Sequence, residues 1–270
     1  MTARAALTRA IHRLDESKIS GSHLDAELIL AFVLGRDRTW LLAHDDTELD
    51  EPQLEQFDAL VNRRLQREPV VHLTGQREFY GLDFEITPDV LTPRVETEQL
   101  VDWAIKYAPQ NSTLIDLGTG CGNIAIAIKI HRPDLVVTAT DVSEKELAVA
   151  RRNAIKHHTD ITFLQADLWQ GVSGQFATVV CNLPYLADDA DLMPEVKKEP
   201  AVALFGGPDG LDLYRRFLST LPAHLAAGGY VFTESDPWQH EPLIAAAAAQ
   251  AGLSPIEQGY FILGFQSKNQ

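Results

Sequence analysis

The chain has 270 residues, enough for one large domain or for a large domain joined to a small one. Hydrophobic residues make up 45% and charged residues 23%, the balance of a soluble globular protein with a substantial core. A net charge of −15 repels a phosphate backbone, which argues against a general nucleic-acid binder and favours a basic protein partner.

The first stretch, Met1 to Leu14, scatters Arg4, Arg9, His12 and Arg13 among apolar residues. It lacks the uninterrupted apolar segment of a secretory signal, and no run in the chain approaches the ~18 apolar residues of a membrane span. A cytoplasmic chain is expected. Leu7, Ile11 and Leu14 recur at helical spacing, as do Leu24, Leu28, Ile29, Phe32 and Val33, with Ser22 as N-cap and Gly35 as stop. Leu54, Phe57, Leu60, Val61 and Leu65 form a further stripe behind Pro52. Residues 1–72 therefore read as a small helical bundle. Residues 73–94 read as a linker, with a hairpin over Phe79 to Ile86 turning at Gly81.

Residues 95–270 form the third segment. A helix is expected over 95–107. From Thr113 strands and helices alternate: strands at 113–117, 135–140, 161–164, 178–181, 230–233 and 260–265, helices at 124–130, 144–157, 211–225 and 243–251. Repeated strand–helix units imply an α/β domain, a Rossmann-like, mostly parallel sheet with helices on both faces. The long polar segment Leu186 to Pro208 is of a length that more often serves function than idles.

Two motifs carry the chemistry. Asp116-Leu117-Gly118-Thr119-Gly120-Cys121-Gly122 runs from a strand through a glycine turn into a helix. The glycines let the backbone approach a ligand, and the helix start offers free N–H groups. The spacing is G-x-G-x-G, which departs from the dinucleotide fingerprint. Asp141, ending the next strand, can accept from both hydroxyls of a ribose; the bland alternative, an N-cap for the following helix, is a role open to Ser143. Asp167 follows the third strand. Together these residues indicate an adenosine-bearing cofactor. Cys121 and Cys181 form no CxxC and have no histidine at ligand spacing, so no metal site is expected, and their usage suits a reducing compartment.

The second motif is Asn182-Leu183-Pro184-Tyr185, directly after the fourth strand of the alternating region and so at the carboxyl edge of the sheet. Asn182 offers a side-chain carbonyl, Leu183 a backbone carbonyl and Tyr185 a flat ring. Two acceptors on the two hydrogens of a planar NH2 orient it and stabilise positive charge growing on nitrogen, so catalysis there is positioning and electrostatics without a dedicated base. An ordinary Asn-Pro turn is the bland alternative.

The glycine turn with its strand-end acids resembles class I S-adenosylmethionine-dependent methyltransferases. That resemblance implies that Gly118, Thr119, Gly120, Cys121 and Gly122 hold the methionine part of the cofactor, Asp141 the ribose, and Asp167 with Leu168 the adenine, with Asn182 beside them. The chain as a whole resembles the release-factor glutamine methyltransferases, the PrmC/HemK family. The likeness rests on Asp25-Ala26-Glu27-Leu28 to Leu34-Gly35-Arg36, Arg63-Arg64 with Glu68-Pro69-Val70, Gly75 to Leu82, Leu91-Thr92-Pro93-Arg94-Val95-Glu96-Thr97-Glu98, Glu199 to Gly207, and Gly210-Leu211-Asp212-Leu213-Tyr214. It implies methylation of the side-chain nitrogen of the glutamine in the Gly-Gly-Gln loop of peptide chain release factors, with Asn182, Leu183, Pro184 and Tyr185 as catalytic and substrate-binding residues and the helical domain helping to dock the protein substrate. No direct nucleic-acid partner and no membrane are expected, and a monomer is the default because no exposed apolar stripe stands out.

Three departures accompany the likeness. Leu183 stands where the family has Pro, Val95 stands where it has Pro, and Gly259 to Gln270 lacks its usual Asp-Arg pair. Leu183 keeps the backbone carbonyl at the price of a less rigid turn. Asn-Leu-Pro-Tyr is also the form found in adenine N6 dimethyltransferases of ribosomal RNA, so a nucleic-acid adenine methyltransferase is the alternative activity. A degenerate cofactor-binding module is a third reading, opposed by the intact Asn182 and Tyr185.

Overall fold

The computed structural model describes residues 1–268; the last two residues of the expected third segment lie outside them. The chain divides into two compact units, Met1–Gln76 with Leu192–Lys198, and Arg77–Asp191 with the chain from Glu199 onward.

The first unit is helical: α1 (Ala3–Glu16), α2 (Ser22–Leu34), α3 (Arg38–Ala43), α4 (Glu51–Leu65) and α5 (Val70–Thr74). Three of the starts are capped by side chains. The Thr2 side chain accepts from Ala5 N at α1, Asp37 accepts from Trp40 N at α3, and Asp50 forms a capping box with Gln53 at α4. Gly35 closes α2 in a left-handed conformation at φ 61°. The expected Ser22 cap differs: Gly21 occupies the cap, and buried Ser22 donates instead to Asp15. The apolar stripes converge on a core in which Leu14, Ile29, Leu30, Leu41 and Phe57 are fully buried. Full burial stabilises each by about 1.5–3 kcal/mol before conformational entropy is counted.

Arg64 is buried in this unit, 4% exposed. Its guanidinium donates to Asp25 at 2.7 Å and to Glu195 at 2.9 Å. Glu195 also pairs with Arg67. Glu195 belongs to the short segment Leu192–Lys198, which lies far along the chain from the helices but clusters with them. Nothing in the polar run around Leu186 to Pro208 points to that excursion.

From Arg77 the second unit carries the rest of the hairpin of β1 (Gln76–Phe79) and β2 (Leu82–Glu85), then a 3-10 turn at Val95–Thr97 and α6 (Glu98–Tyr107). There follow β3 (Thr113–Leu117), α7 (Asn123–His131), β4 (Val136–Asp141), α8 (Glu144–Lys156), β5 (Thr162–Gln165), β6 (Phe176–Cys181), α9 (Asp212–Thr220), β7 (Leu225–Glu234), α10 (His240–Ala251), β8 (Leu253–Gln258) and β9 (Ile262–Ser267). Seven strands make one sheet in the order β5-β4-β3-β6-β7-β9-β8. Pairings from β5 through β7 are parallel, and β9 runs antiparallel between β7 and β8. The central strands are buried on both faces, which is why they read as continuous Val, Ile and Leu runs. α7 buries every residue from Asn123 to Ile128.

Two elements differ from the sequence expectation. The helix expected over 211–225 ends at Thr220, because Pro222 cannot continue it and a 3-10 turn at Leu221–Ala223 takes over. Strand β7 then starts at Leu225, well before the expected Tyr230. Strand β8 is unanticipated. Pro255 disguises it, and the residue is tolerated because β8 is an edge strand paired only with β9.

Candidate active site

Strands β4, β3 and β6 are neighbours, and their carboxyl ends bring the two sequence motifs to one edge. Leu117 pairs with Thr140 on one side and Cys181 on the other, so the residues that follow each strand emerge together. A cavity of about 290 Å³ opens there. Of the residues singled out in the sequence, Gly118, Thr119, Gly120, Cys121, Asp141, Asp167, Leu168, Asn182, Leu183 and Pro184 line it.

Gly122 and Tyr185 are not among its lining residues. Gly122 serves packing: a Cβ there would meet the Ala150 Cβ of α8 at 3.2 Å, so its bare α-carbon lets α7 and α8 approach. The Tyr185 ring packs on the central core, and its hydroxyl donates to the buried Glu234 carboxylate. Burial and the Glu234 charge push the Tyr185 phenol far up, so it stays protonated.

The glycine turn is held open by its backbone. Gly118 and Gly120 have φ of 72° and 55°, a region that glycine enters without strain. Asp141 fastens the turn: one carboxylate oxygen accepts from Gly120 N at 2.9 Å and the other from Ser143 N at 2.9 Å. Ser143 in turn caps α8 through Glu146 N. Burial raises the Asp141 pKa, opposed by these backbone bonds. Asp116, wholly buried beneath the turn, accepts from the Thr119 hydroxyl at 2.7 Å, and burial lifts it to about 7. Cys121 is a buried thiol raised by burial to about 12, so it is no nucleophile.

Asp167 accepts from Arg216 at 2.7 Å, and both line the cavity. Leu168, beside it, takes a left-handed φ of 52°.

The Asn182 turn is clamped from three sides. Its backbone is pressed by Gly206 and Gly210, where a Cβ would collide with the Pro184 and Tyr185 carbonyls respectively. Leu186 N donates to Leu204 O at 3.0 Å and Gly206 N to Leu186 O at 2.8 Å, while Gln239 Nε2 donates to Tyr185 O at 2.9 Å. Those contacts explain why the segments Glu199 to Gly207 and Gly210 to Tyr214 go with the turn. Arg94 pairs with the buried Glu199 at 2.6 Å, joining the Leu91 to Glu98 segment to the same assembly. The third side is Glu234, ending β7 and 1% exposed. Its carboxylate accepts from Thr97 Oγ1 at 2.6 Å and from the Tyr185 hydroxyl at 3.1 Å, and Asn182 Nδ2 donates to Thr97 Oγ1 at 3.4 Å.

Two family models match this chain: the PrmC N-terminal domain over residues 5–75 and the methyltransferase small domain over residues 97–199. The release factor glutamine methyltransferase of Geobacter sulfurreducens is 37% identical over 235 residues, 86% of this chain and 83% of the relative. The chain belongs to the release factor glutamine methyltransferase family. The Deinococcus radiodurans member is likewise 37% identical, over 93% of this chain and 92% of its own. A Pyrococcus furiosus methyltransferase structure shares the fold with a TM-score of 0.54 at 20% identity, over 70% of this chain and 90% of that one. This family member is therefore a methyltransferase, and the likeness segments Leu91 to Glu98, Glu199 to Gly207 and Gly210 to Tyr214 are gathered around the cavity and the Asn182 turn.

Sequence reasoning missed Thr97, Glu146, Arg216 and Glu234. Arg216 reads as a solvated helix face, yet it reaches the cavity. Glu146 lines the same cavity from the first turn of α8. Glu234 had one visible signal, an acid closing a strand at the carboxyl edge of the sheet.

Proposed function

We propose that this enzyme transfers a methyl group from S-adenosylmethionine to the side-chain amide nitrogen of the glutamine in the Gly-Gly-Gln motif of peptide chain release factors. The observation that carries the reading is the family likeness across both units, coupled to an Asn-x-Pro-Tyr turn opening on an acid-lined cavity. The residues fit the donor. The left-handed glycine turn brings backbone to the cavity wall, and Asp141 gives the lining an acid suited to a cationic ligand. The buried Thr92 hydroxyl lines the same cavity without a protein partner, a polar atom left for a ligand.

On this reading Gly118 to Cys121 hold the methionine portion, Asp141 the ribose, and Asp167 with Leu168 the adenine. The bound donor supplies a methyl group on a positively charged sulfur. Asn182 Oδ1 and the Leu183 backbone carbonyl accept the two amide hydrogens of the glutamine, fixing its plane and favouring positive charge on nitrogen. The new N–C bond forms as the C–S bond breaks, its electron pair going to sulfur, and the proton leaves nitrogen for solvent. Tyr185 braces the turn through Glu234. The helical unit, matched by the PrmC N-terminal model, supplies docking surface for the protein substrate. The same reading places the enzyme in the cytoplasm and leaves out nucleic acid as substrate. Adenine methylation is not favoured, since the similar relatives are release factor enzymes.

The test is incubation of enzyme, release factor and S-adenosylmethionine, followed by peptide mapping. A glutamine heavier by one methylene in the Gly-Gly-Gln peptide supports the reading. Methyl incorporation into RNA or DNA but not protein overturns it.

A further inference from the structure

We infer that Thr97 and Glu234 form a hydrogen-bond relay that sets which end of the Asn182 amide faces the cavity, making them positioning residues for methyl transfer. The inference rests on the proposed glutamine-methylating function, because it concerns how the acceptor oxygen of Asn182 is aimed.

An asparagine amide is ambiguous. Its Oδ1 and Nδ2 ends have nearly the same shape, and only the oxygen can accept a hydrogen from a substrate NH2. Something must choose between them. The choice begins at Glu234, whose carboxylate accepts hydrogen bonds and donates none. The Thr97 hydroxyl has one hydrogen, and its 2.6 Å bond to Glu234 Oε2 commits that hydrogen to the carboxylate. Thr97 Oγ1 therefore presents only lone pairs to Asn182. Those lone pairs accept from Nδ2 at 3.4 Å and would repel Oδ1. The nitrogen end of the amide is thereby turned inward, and the oxygen end is left for the cavity that Asn182 lines.

The other carboxylate oxygen, Oε1, accepts from the Tyr185 hydroxyl at 3.1 Å. One buried acid thus holds both ends of the Asn182 to Tyr185 turn. Its own place is fixed by the backbone, since the Tyr214 hydroxyl donates to the Glu234 carbonyl and Thr233 Oγ1 donates to Tyr214 Oη. Thr97 is 1% and Glu234 1% exposed, so water does not compete for these bonds. The relay also accounts for how a buried carboxylate is satisfied by neutral donors. An isolated buried charge is costly, and three donors aimed at it offset that cost: Thr97, Tyr185 and the Asn182 amide all pull its pKa down against burial.

Thr97→Val keeps the side-chain shape and removes the hydroxyl. With the hydroxyl lone pair gone, the Asn182 amide keeps only its interaction with the Glu234 carboxylate, and its bias weakens. The expected result is a fall in kcat of about tenfold or more, the kinetic equivalent of one misplaced hydrogen bond. S-adenosylmethionine affinity should stay within about twofold, and the KM for release factor should change less than kcat, because the bond from Asn182 to the glutamine amide strengthens in the transition state. Thr97→Ser, which restores the hydroxyl, should restore most of kcat. Glu234→Gln should also lower kcat, since its amide leaves one acceptor oxygen where Thr97 and Tyr185 each had one, and its NH2 can only donate. A second readout needs no turnover: in protein labelled with 15N-asparagine, the Asn182 NH2 signal should shift in Thr97→Val and return in Thr97→Ser. An unmoved Asn182 signal, or a Thr97→Val enzyme with wild-type kcat, overturns the relay. Failure of the wild-type enzyme to methylate release factor strikes the functional reading instead, and the labelled-amide result still decides the relay.

Discussion

Leu183 packs against the bare α-carbon of Gly118: a Cβ placed on residue 118 would lie 3.3 Å from Leu183 Cδ2. The contact joins the two motifs directly, the turn that cradles the donor and the turn that presents the acceptor. Leu183 is 3% exposed and part of the central core. Its replacement of the family proline therefore trades φ restraint for buried apolar contact. Leu183→Ala should cost about 2–3 kcal/mol of stability through the cavity it leaves. Gly118→Ala should cost about 1–2 kcal/mol from its left-handed φ and the clash together. In the double variant the steric part should vanish, so the two costs should sum to less than their separate values in denaturant titrations.

Asn182→Ala should bind S-adenosylmethionine with affinity within about threefold of wild type and lose transfer by at least a hundredfold, as expected when an interaction made chiefly in the transition state is removed. Calorimetric donor binding alongside single-turnover methylation checks both halves. Equal residual methylation in both forms would instead indicate a binding module without a catalytic turn.

Glu146 lines the cavity close to Gly120, and burial with the nearby charges of Asp141 and Asp89 lifts it from 4.5 to about 8. Near neutrality it is protonated. Because its folded pKa exceeds its unfolded one, its contribution to stability is fully present below pH 4.5 and is lost as pH rises towards about 8. Thermal melts of wild type should fall relative to Glu146→Gln across that window. A cationic donor reverses the preference by favouring the ionised form, so donor affinity should rise with pH up to about 8 in wild type and be flatter in Glu146→Gln. Parallel slopes for the two proteins in either measurement would remove Glu146 from the account.

Arg64 sits between Asp25 and Glu195 within the helical unit. Removing one partner of a buried ion pair leaves uncompensated charge, so Arg64→Ala should cost about 3–5 kcal/mol. The segment Leu192–Lys198 should also become more sensitive to limited proteolysis, since Glu195 loses its buried partner. Unchanged cleavage in a destabilised variant would show that the segment is held by other contacts.

Much of this architecture is legible in the chain itself. The central strands announce themselves through runs such as Thr113 to Leu117, because burial on both faces leaves no polar alternation to obscure them. The helical stripes around Leu14, Ile29 and Phe57 are legible for the complementary reason, a single apolar face per helix. Strand β8 was hidden by Pro255, whose meaning depends on an edge position that only the assembled sheet defines. The cavity followed from strand ends, so Gly118, Asp141 and Asn182 could be placed together before any coordinates. Thr97, Glu146 and Glu234 could not, because each works through a partner distant in sequence: Thr97 and Glu234 meet across 137 positions. The strand-end acid at Glu234 is a faint signal by itself, and only burial beside Thr97 turns it into a positioning group.

The most direct measurement is peptide mass spectrometry of release factor treated with S-adenosylmethionine and either the wild-type enzyme or Asn182→Ala. The account predicts one added methylene on the glutamine of the Gly-Gly-Gln peptide with wild type and none with the variant. An unmodified glutamine under conditions where the wild-type enzyme binds the donor would contradict it.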